Sequence, residues 1–138
     1  MYKIYSKIVP DKLLHIIHRF EEIIEPRNNI IDSDEFLQLA SMKLPKGYTF
    51  KPHHHFYKEN PTSKVIPQES WVVLRGSVKC VFYDIDNKLL EEPILKAGDC
   101  SVTLEGGHTY VILEDDTIVY EYKTGPYEGI EKDKIFID

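Results

Sequence analysis

Residues 71–95 read WVVLRGSVKCVFYDIDNKLLEEPIL, and their pattern decides the fold class. Valine, leucine, cysteine and aromatic residues alternate with polar ones in short runs, as half-buried strands require. Two interruptions, Arg75-Gly76 and Asp86-Asn87, carry the residue types that hairpin turns favour. Residues 100–123, CSVTLEGGHTYVILEDDTIVYEYK, repeat the style, with turns expected at Gly106-Gly107 and at Glu114-Asp115-Asp116. Short strands separated by turns, with no helical pattern between them, predict an antiparallel sandwich or barrel.

Upstream the texture differs. Between Pro10 and Pro26 the segment DKLLHIIHRFEEIIE places Leu13, Leu14, Ile16, Ile17, Phe20, Ile23 and Ile24 mainly at spacings of three and four. That period predicts a helix capped by Asp11 and stopped by Pro26. A strand is the weaker alternative, because the polar residues cluster. SDEF at Ser33 resembles a capping signal for a second short turn, and FLQLASMKL reads as extended. The chain thus divides into an N-terminal helical extension over 1–35, a β-barrel over 36–124 and a turn-rich tail over 125–138. The tail is expected to add an edge strand or to pack on a partner chain.

The 138 residues, 42% of them hydrophobic, suit one domain with a real core. A net charge of −6 argues against a nucleic-acid or anionic-membrane partner, which needs a cationic face. Cys80 and Cys100 are too few for a disulfide scaffold, and buried inert thiols are expected for both. No apolar run approaches the ~20 residues of a membrane span. MYKIYSKIVPDK is too polar for a secretory signal, so a cytoplasmic protein is expected.

The local anomaly is histidine: six in all, three of them adjacent at 53–55. In a strand, residues two apart share a face, so His53 and His55 point together while His54 points away. Two imidazoles so placed chelate a metal when further donors approach from other strands. His15 and His18 fall on the expected helix and read as surface or interface residues.

The surrounding order sharpens this reading. Five residues lie between Gly47 and His53, His-x-His follows, and six lie between Glu69 and Gly76, in ESWVVLRG. Gly98-Asp99 and Gly106-Gly107-His108 come next. This order resembles the cupin superfamily, whose motifs run G-x5-H-x-H-x3/4-E-x6-G and G-x5-P-x-G-x2-H-x3-N. The resemblance covers roughly residues 36–124. It departs from the pattern in places: thirteen residues lie between His55 and Glu69, Leu104 replaces the proline, and Ile112 replaces the asparagine. Glu59 meets the short spacing after His55, but Ile66 stands where its glycine belongs. Glu69 is favoured because it opens a convincing strand; Glu59 and Gln68 remain as alternatives.

The resemblance implies a small antiparallel jelly-roll barrel holding one divalent metal ion through His53, His55, Glu69 and His108. Such a donor set suits Fe, Mn, Ni, Co or Zn. It also implies a homodimer and a polar small-molecule ligand, a sugar or sugar nucleotide of surface-polysaccharide metabolism, with Tyr110 or Glu59 as proton donor or acceptor. Two other classes stay open. One is a metal-free sugar epimerase or isomerase using a histidine base and a tyrosine acid; the other is a non-catalytic binding or sensing module.

Overall fold

The expected strands form, and they assemble into two facing antiparallel sheets. The computed structural model describes residues 1–60 and 63–137, the side chains of 58–60 and 63–65 excepted. In chain order its strands are β1 (Tyr2–Tyr5), β2 (Leu13–Ile17), β3 (Asn28–Asn29), β4 (Leu37–Leu44), β5 (His53–His55), β6 (Lys58–Asn60), β7 (Ser63–Val65), β8 (Glu69–Arg75), β9 (Ser77–Tyr83), β10 (Leu89–Glu91), β11 (Ile94–Lys96), β12 (Cys100–Thr103), β13 (Gly107–Ile112), β14 (Thr117–Thr124) and β15 (Lys134–Phe136). One sheet has the order β10-β9-β13-β5-β15, with β11 also on β9; the other runs β12-β8-β14-β4-β3. No ladder joins the two among the described residues, so the expected barrel is an open sandwich.

The connections explain why the sheets face each other. Arg75-Gly76 was expected to close a hairpin, yet β8 and β9 lie in different sheets. Gly76 instead carries the chain from one layer to the other at φ 80°, a left-handed conformation that glycine adopts freely. Gly106-Gly107 and Glu114-Asp115-Asp116 make the same kind of crossing, before and after β13. Asp86-Asn87 does close a hairpin, β9 to β10, with Asn87 at φ 66°. The thirteen residues between His55 and Glu69 include the small β6–β7 ribbon. The tail adds β15 to the edge of β5, as one of its two expected roles required.

The N-terminal helix is a correction. Leu13–Ile17 is β2, paired antiparallel with β1 so that Tyr2 faces Ile17 and Ile4 faces His15. Helical structure there is confined to a short 3-10 turn at Phe20–Glu22, and SDEF forms only a turn. The missed signal was turn chemistry: Ser6 Oγ accepts the amides of Ile8 and Val9 at 3.1 and 2.9 Å, and Asp11 adopts φ 60°. Leu14, Ile17, Phe20 and Ile24, much of the supposed apolar stripe, stay exposed. An amphipathic helix needs a surface on which to bury its stripe, and tertiary context overrode the period.

The inward faces show how the fold builds a site. Along β8, Glu69, Trp71 and Val73 are buried in alternation; along β13 His108, Tyr110 and Ile112 follow the same polar, aromatic, aliphatic order. Met42, Leu44, Val73, Val78, Cys80, Ile112 and Val119 from both sheets make the apolar end. The indole of Trp71 and the ring of Tyr110 stack at 4.0 Å between centroids and 9° between planes, separating that core from the polar end.

Candidate metal centre

Strand alternation carries the two histidines of β5 inward. His53 and His55 are buried and His54 is less so, as the period of two requires. His108 lies directly opposite His53 across the β13–β5 ladder, which brings their rings to 4.6 Å between centroids. Glu69 approaches from the facing sheet, its carboxylate 3.5 Å from His55 Nε2 and 3.4 Å from His108 Nε2. One ligand atom from each of these four residues fits within a mutual separation of 4.8 Å, and all four residues are buried.

These donors are poorly satisfied by the protein itself. Nε2 of His53, His55 and His108 and Oε2 of Glu69 are buried without a hydrogen-bond partner among the described residues. A buried polar atom left in that state costs about 1–3 kcal/mol, so four gathered at one point need a collective reason. Three imidazole nitrogens and a carboxylate oxygen converging on one point have the chemistry of a divalent transition-metal donor set, and the residues fit that group. Glu59, the alternative donor, lies in β6 with its side chain outside the described residues. Gln68 is exposed, its backbone N–H donates to Thr124 Oγ1, and it is not among the clustered donors.

Neighbouring groups hold the four in place. Trp71 Nε1–H donates to Glu69 Oε1 at 3.2 Å. His53 Nδ1 lies 3.0 Å from the Lys51 carbonyl and His55 Nδ1 3.1 Å from the Asp133 carbonyl, so each ring donates Nδ1–H and leaves Nε2 as the acceptor. The Asp133 carboxylate receives Lys123 Nζ at 2.8 Å and sits 3.5 Å from His55 Nδ1. Trp71, Lys123 and Asp133 are specified by no motif of the sequence. The alternation of Glu121 and Lys123 along β14 would have placed both inward, whereas the approach of Asp133 from the tail leaves no local trace.

Electrostatics prepare the cluster unequally. Burial, helped by the charges of Lys134 and His108, pushes His53 down to about 3, so it is neutral at neutral pH. Burial also disfavours His55 protonation, but Asp133 and Glu69 outweigh it and the net shift is upward. For Glu69 burial opposes ionisation, yet His108 and His55 hold it well below the usual carboxylate range. Asp133 is held at about 2 by His55 and Lys123 against burial.

Tyr110 stands beside the cluster, 1% exposed, with its hydroxyl 3.1 Å from Ser101 Oγ and its ionisation pushed upward by burial. Tyr120 and Tyr122 alternate to the other face, where the Tyr120 hydroxyl meets His18 Nδ1 at 3.0 Å. Cys80 is buried with its thiol pushed up to about 11, but Cys100 is exposed, against expectation. A cavity of about 530 Å³ opens on the cluster, reaching His53 and Glu69 and walled by Phe50, Trp71, Tyr110 and Phe136. Among the described residues no helix is long and apolar enough to cross a membrane.

Comparison with known proteins rests on structure alone, since no family model and no curated protein matches the chain. An uncharacterised conserved protein with a double-stranded beta-helix domain from Klebsiella pneumoniae superposes with a TM-score of 0.65 at 14% identity, covering 91% of this chain and 99% of that one. The capsular polysaccharide assembling protein CapF from Staphylococcus aureus gives 0.65 at 15% identity over 81% of this chain, which spans only 31% of CapF. A cupin-2 domain containing protein from Shewanella frigidimarina gives 0.50 at 16% identity, covering 72% of this chain and 79% of that one. Two facing antiparallel sheets, their layer-crossing turns and these neighbours together identify the chain as a small protein of the cupin, or double-stranded β-helix, fold.

Proposed function

We propose that this protein holds one divalent metal ion through His53, His55, Glu69 and His108 and presents it to a polar small molecule in the adjoining cavity. The observation that carries the reading is the convergence of four buried, otherwise unsatisfied donor atoms within 4.8 Å. Fe, Mn, Ni, Co and Zn all suit three imidazoles and a carboxylate. When bound, the ion supplies Lewis acidity toward an oxygen of the ligand. The chain's residues do the rest. His53 enters without a proton to displace, Trp71 fixes the Glu69 carboxylate, and Asp133 fixes the His55 ring. Tyr110, whose phenol keeps its proton at neutral pH, acts as a donor and not as a base. A sugar or sugar-nucleotide ligand in surface-polysaccharide metabolism is the reading that the likeness to CapF supports.

The two competing classes find less support. A metal-free epimerase would leave Nε2 of His53, His55 and His108 and Oε2 of Glu69 buried and unsatisfied. A non-catalytic binding or sensing module with a filled interior does not match the cavity that adjoins the cluster. Elemental analysis of protein purified without added metal tests the proposal, alongside His53→Ala and His108→Ala. One ion per chain in the wild type and its loss from both variants is expected; unchanged metal content in both overturns it.

A further inference from the structure

The cavity beside the four donors is lined by charges of both signs. Its walls carry Arg27, Lys51, Lys123 and Lys134 against Asp32, Glu69 and Glu121, in a chain of net charge −6. Most of these charges are answered internally. Arg27 grips Glu121 through both terminal nitrogens, at 2.5 and 3.3 Å, and Lys123 is held by Asp133. Lys134 differs: its ammonium makes no hydrogen bond or ion pair among the described residues.

The position of Lys134 follows from register. In β15, Lys134 lies opposite His55 and Phe136 opposite His53. Directly opposed residues of an antiparallel pair project to the same face, so Lys134 and Phe136 share the inner face with both histidines. Its charge acts on both His53 and Glu69. An ammonium beside a site for a divalent cation experiences like-charge repulsion, and an anion seated between them relieves it.

We propose that the cavity selects an acidic small molecule, one whose carboxylate or phosphate group sits on Lys134 beside the four-residue cluster. The inference rests on the functional reading above for its cavity and deepens it by naming the charge of the ligand. Phe50 and Phe136 offer apolar walls for the remainder of the molecule.

The test is calorimetric titration of the full chain with gluconate and glycerol phosphate, each beside its neutral counterpart, sorbitol and glycerol. Metal content is measured in the same samples. Each acid is expected to bind at least ~10-fold more tightly than its counterpart, the scale of one charge-assisted hydrogen bond. Lys134→Gln should erase that preference with the thermal midpoint unchanged, and Lys134→Arg should keep it. Stronger binding of gluconate identifies a carboxylate seat, and stronger binding of glycerol phosphate a phosphate seat. Equal binding of acids and polyols, or a preference that survives Lys134→Gln, overturns the inference. Metal-loaded protein without the preference overturns this inference alone; metal-free protein that keeps a Lys134-dependent preference overturns the metal reading and leaves the seat.

Discussion

Asp133→Asn changes one atom type at the centre of a buried charge pair, so its cost can be worked from distances. Asp133 is fully buried, Lys123 is 8% exposed, and Lys123 Nζ lies 2.8 Å from Asp133 Oδ2. At an effective dielectric of about 20, that separation corresponds to about 6 kcal/mol of gross attraction. Desolvation offsets part of it, and removing one partner of such a pair costs about 3–5 kcal/mol because the other charge is left uncompensated. Lys123 also lines the cavity and lies 4.3 Å from the centre of the Tyr127 ring. Both relieve a stranded ammonium, which places Asp133→Asn near the lower bound, about 3 kcal/mol. Lys123→Met should cost less, because Asp133 retains His55 as a partner. The assay is urea unfolding of the two single variants and the double variant, with the His55 ring titrated by NMR. In Asp133→Asn the His55 pKa should fall, since Asp133 is one of the groups that raise it. Single-variant costs under about 1 kcal/mol that simply add in the double variant would refute the coupling.

Three further outcomes follow from the same geometry. Trp71→Phe keeps an aromatic ring against Tyr110 but removes the donor to Glu69, so metal affinity should fall about 10–100-fold, together with a packing loss from the smaller ring in a fully buried position; competition against a chelator measures the affinity. The metal-free protein should lose stability from about pH 6.5 to pH 4, by about 2–3 kcal/mol net. His53, lowered to about 3 from 6.5, resists protonation over that range, while the stability that His55 gains from its raised pKa is already in place below 6.5 and stays nearly constant. A flat unfolding free energy over that range would contradict the shift assigned to His53. Gly76→Ala places a Cβ against Thr117 Oγ1 at a left-handed φ of 80° and should cost about 2 kcal/mol or more, read as a lowered thermal midpoint.

The site was legible where chemistry follows strand alternation. His53 and His55 share a face because they are two apart, and Glu69 points inward because it starts the alternation that buries Trp71 and Val73. What sequence could not supply was pairing between distant segments. The opposition of His108 and His53, the tail strand that sets Lys134 against His55, and the Asp133 contact arise from long-range register. The N-terminal segment misled for a related reason. Its apolar spacing imitates a helix, but Leu13–Ile17 found a strand partner just upstream through the Ser6 turn. Gly76 was recognised as a break; whether such a break folds back or crosses to the facing sheet depends on the neighbours of β8 and β9.

The claim that organises the molecule is that His53, His55, Glu69 and His108 are ligands of one ion, and anomalous diffraction addresses it directly. Crystals of protein purified without added metal, measured above and below the absorption edge of the metal found by elemental analysis, should show a single peak enclosed by the three Nε2 atoms and the Glu69 carboxylate. A peak elsewhere on the chain, or none at that position in metal-replete protein, would contradict the assignment.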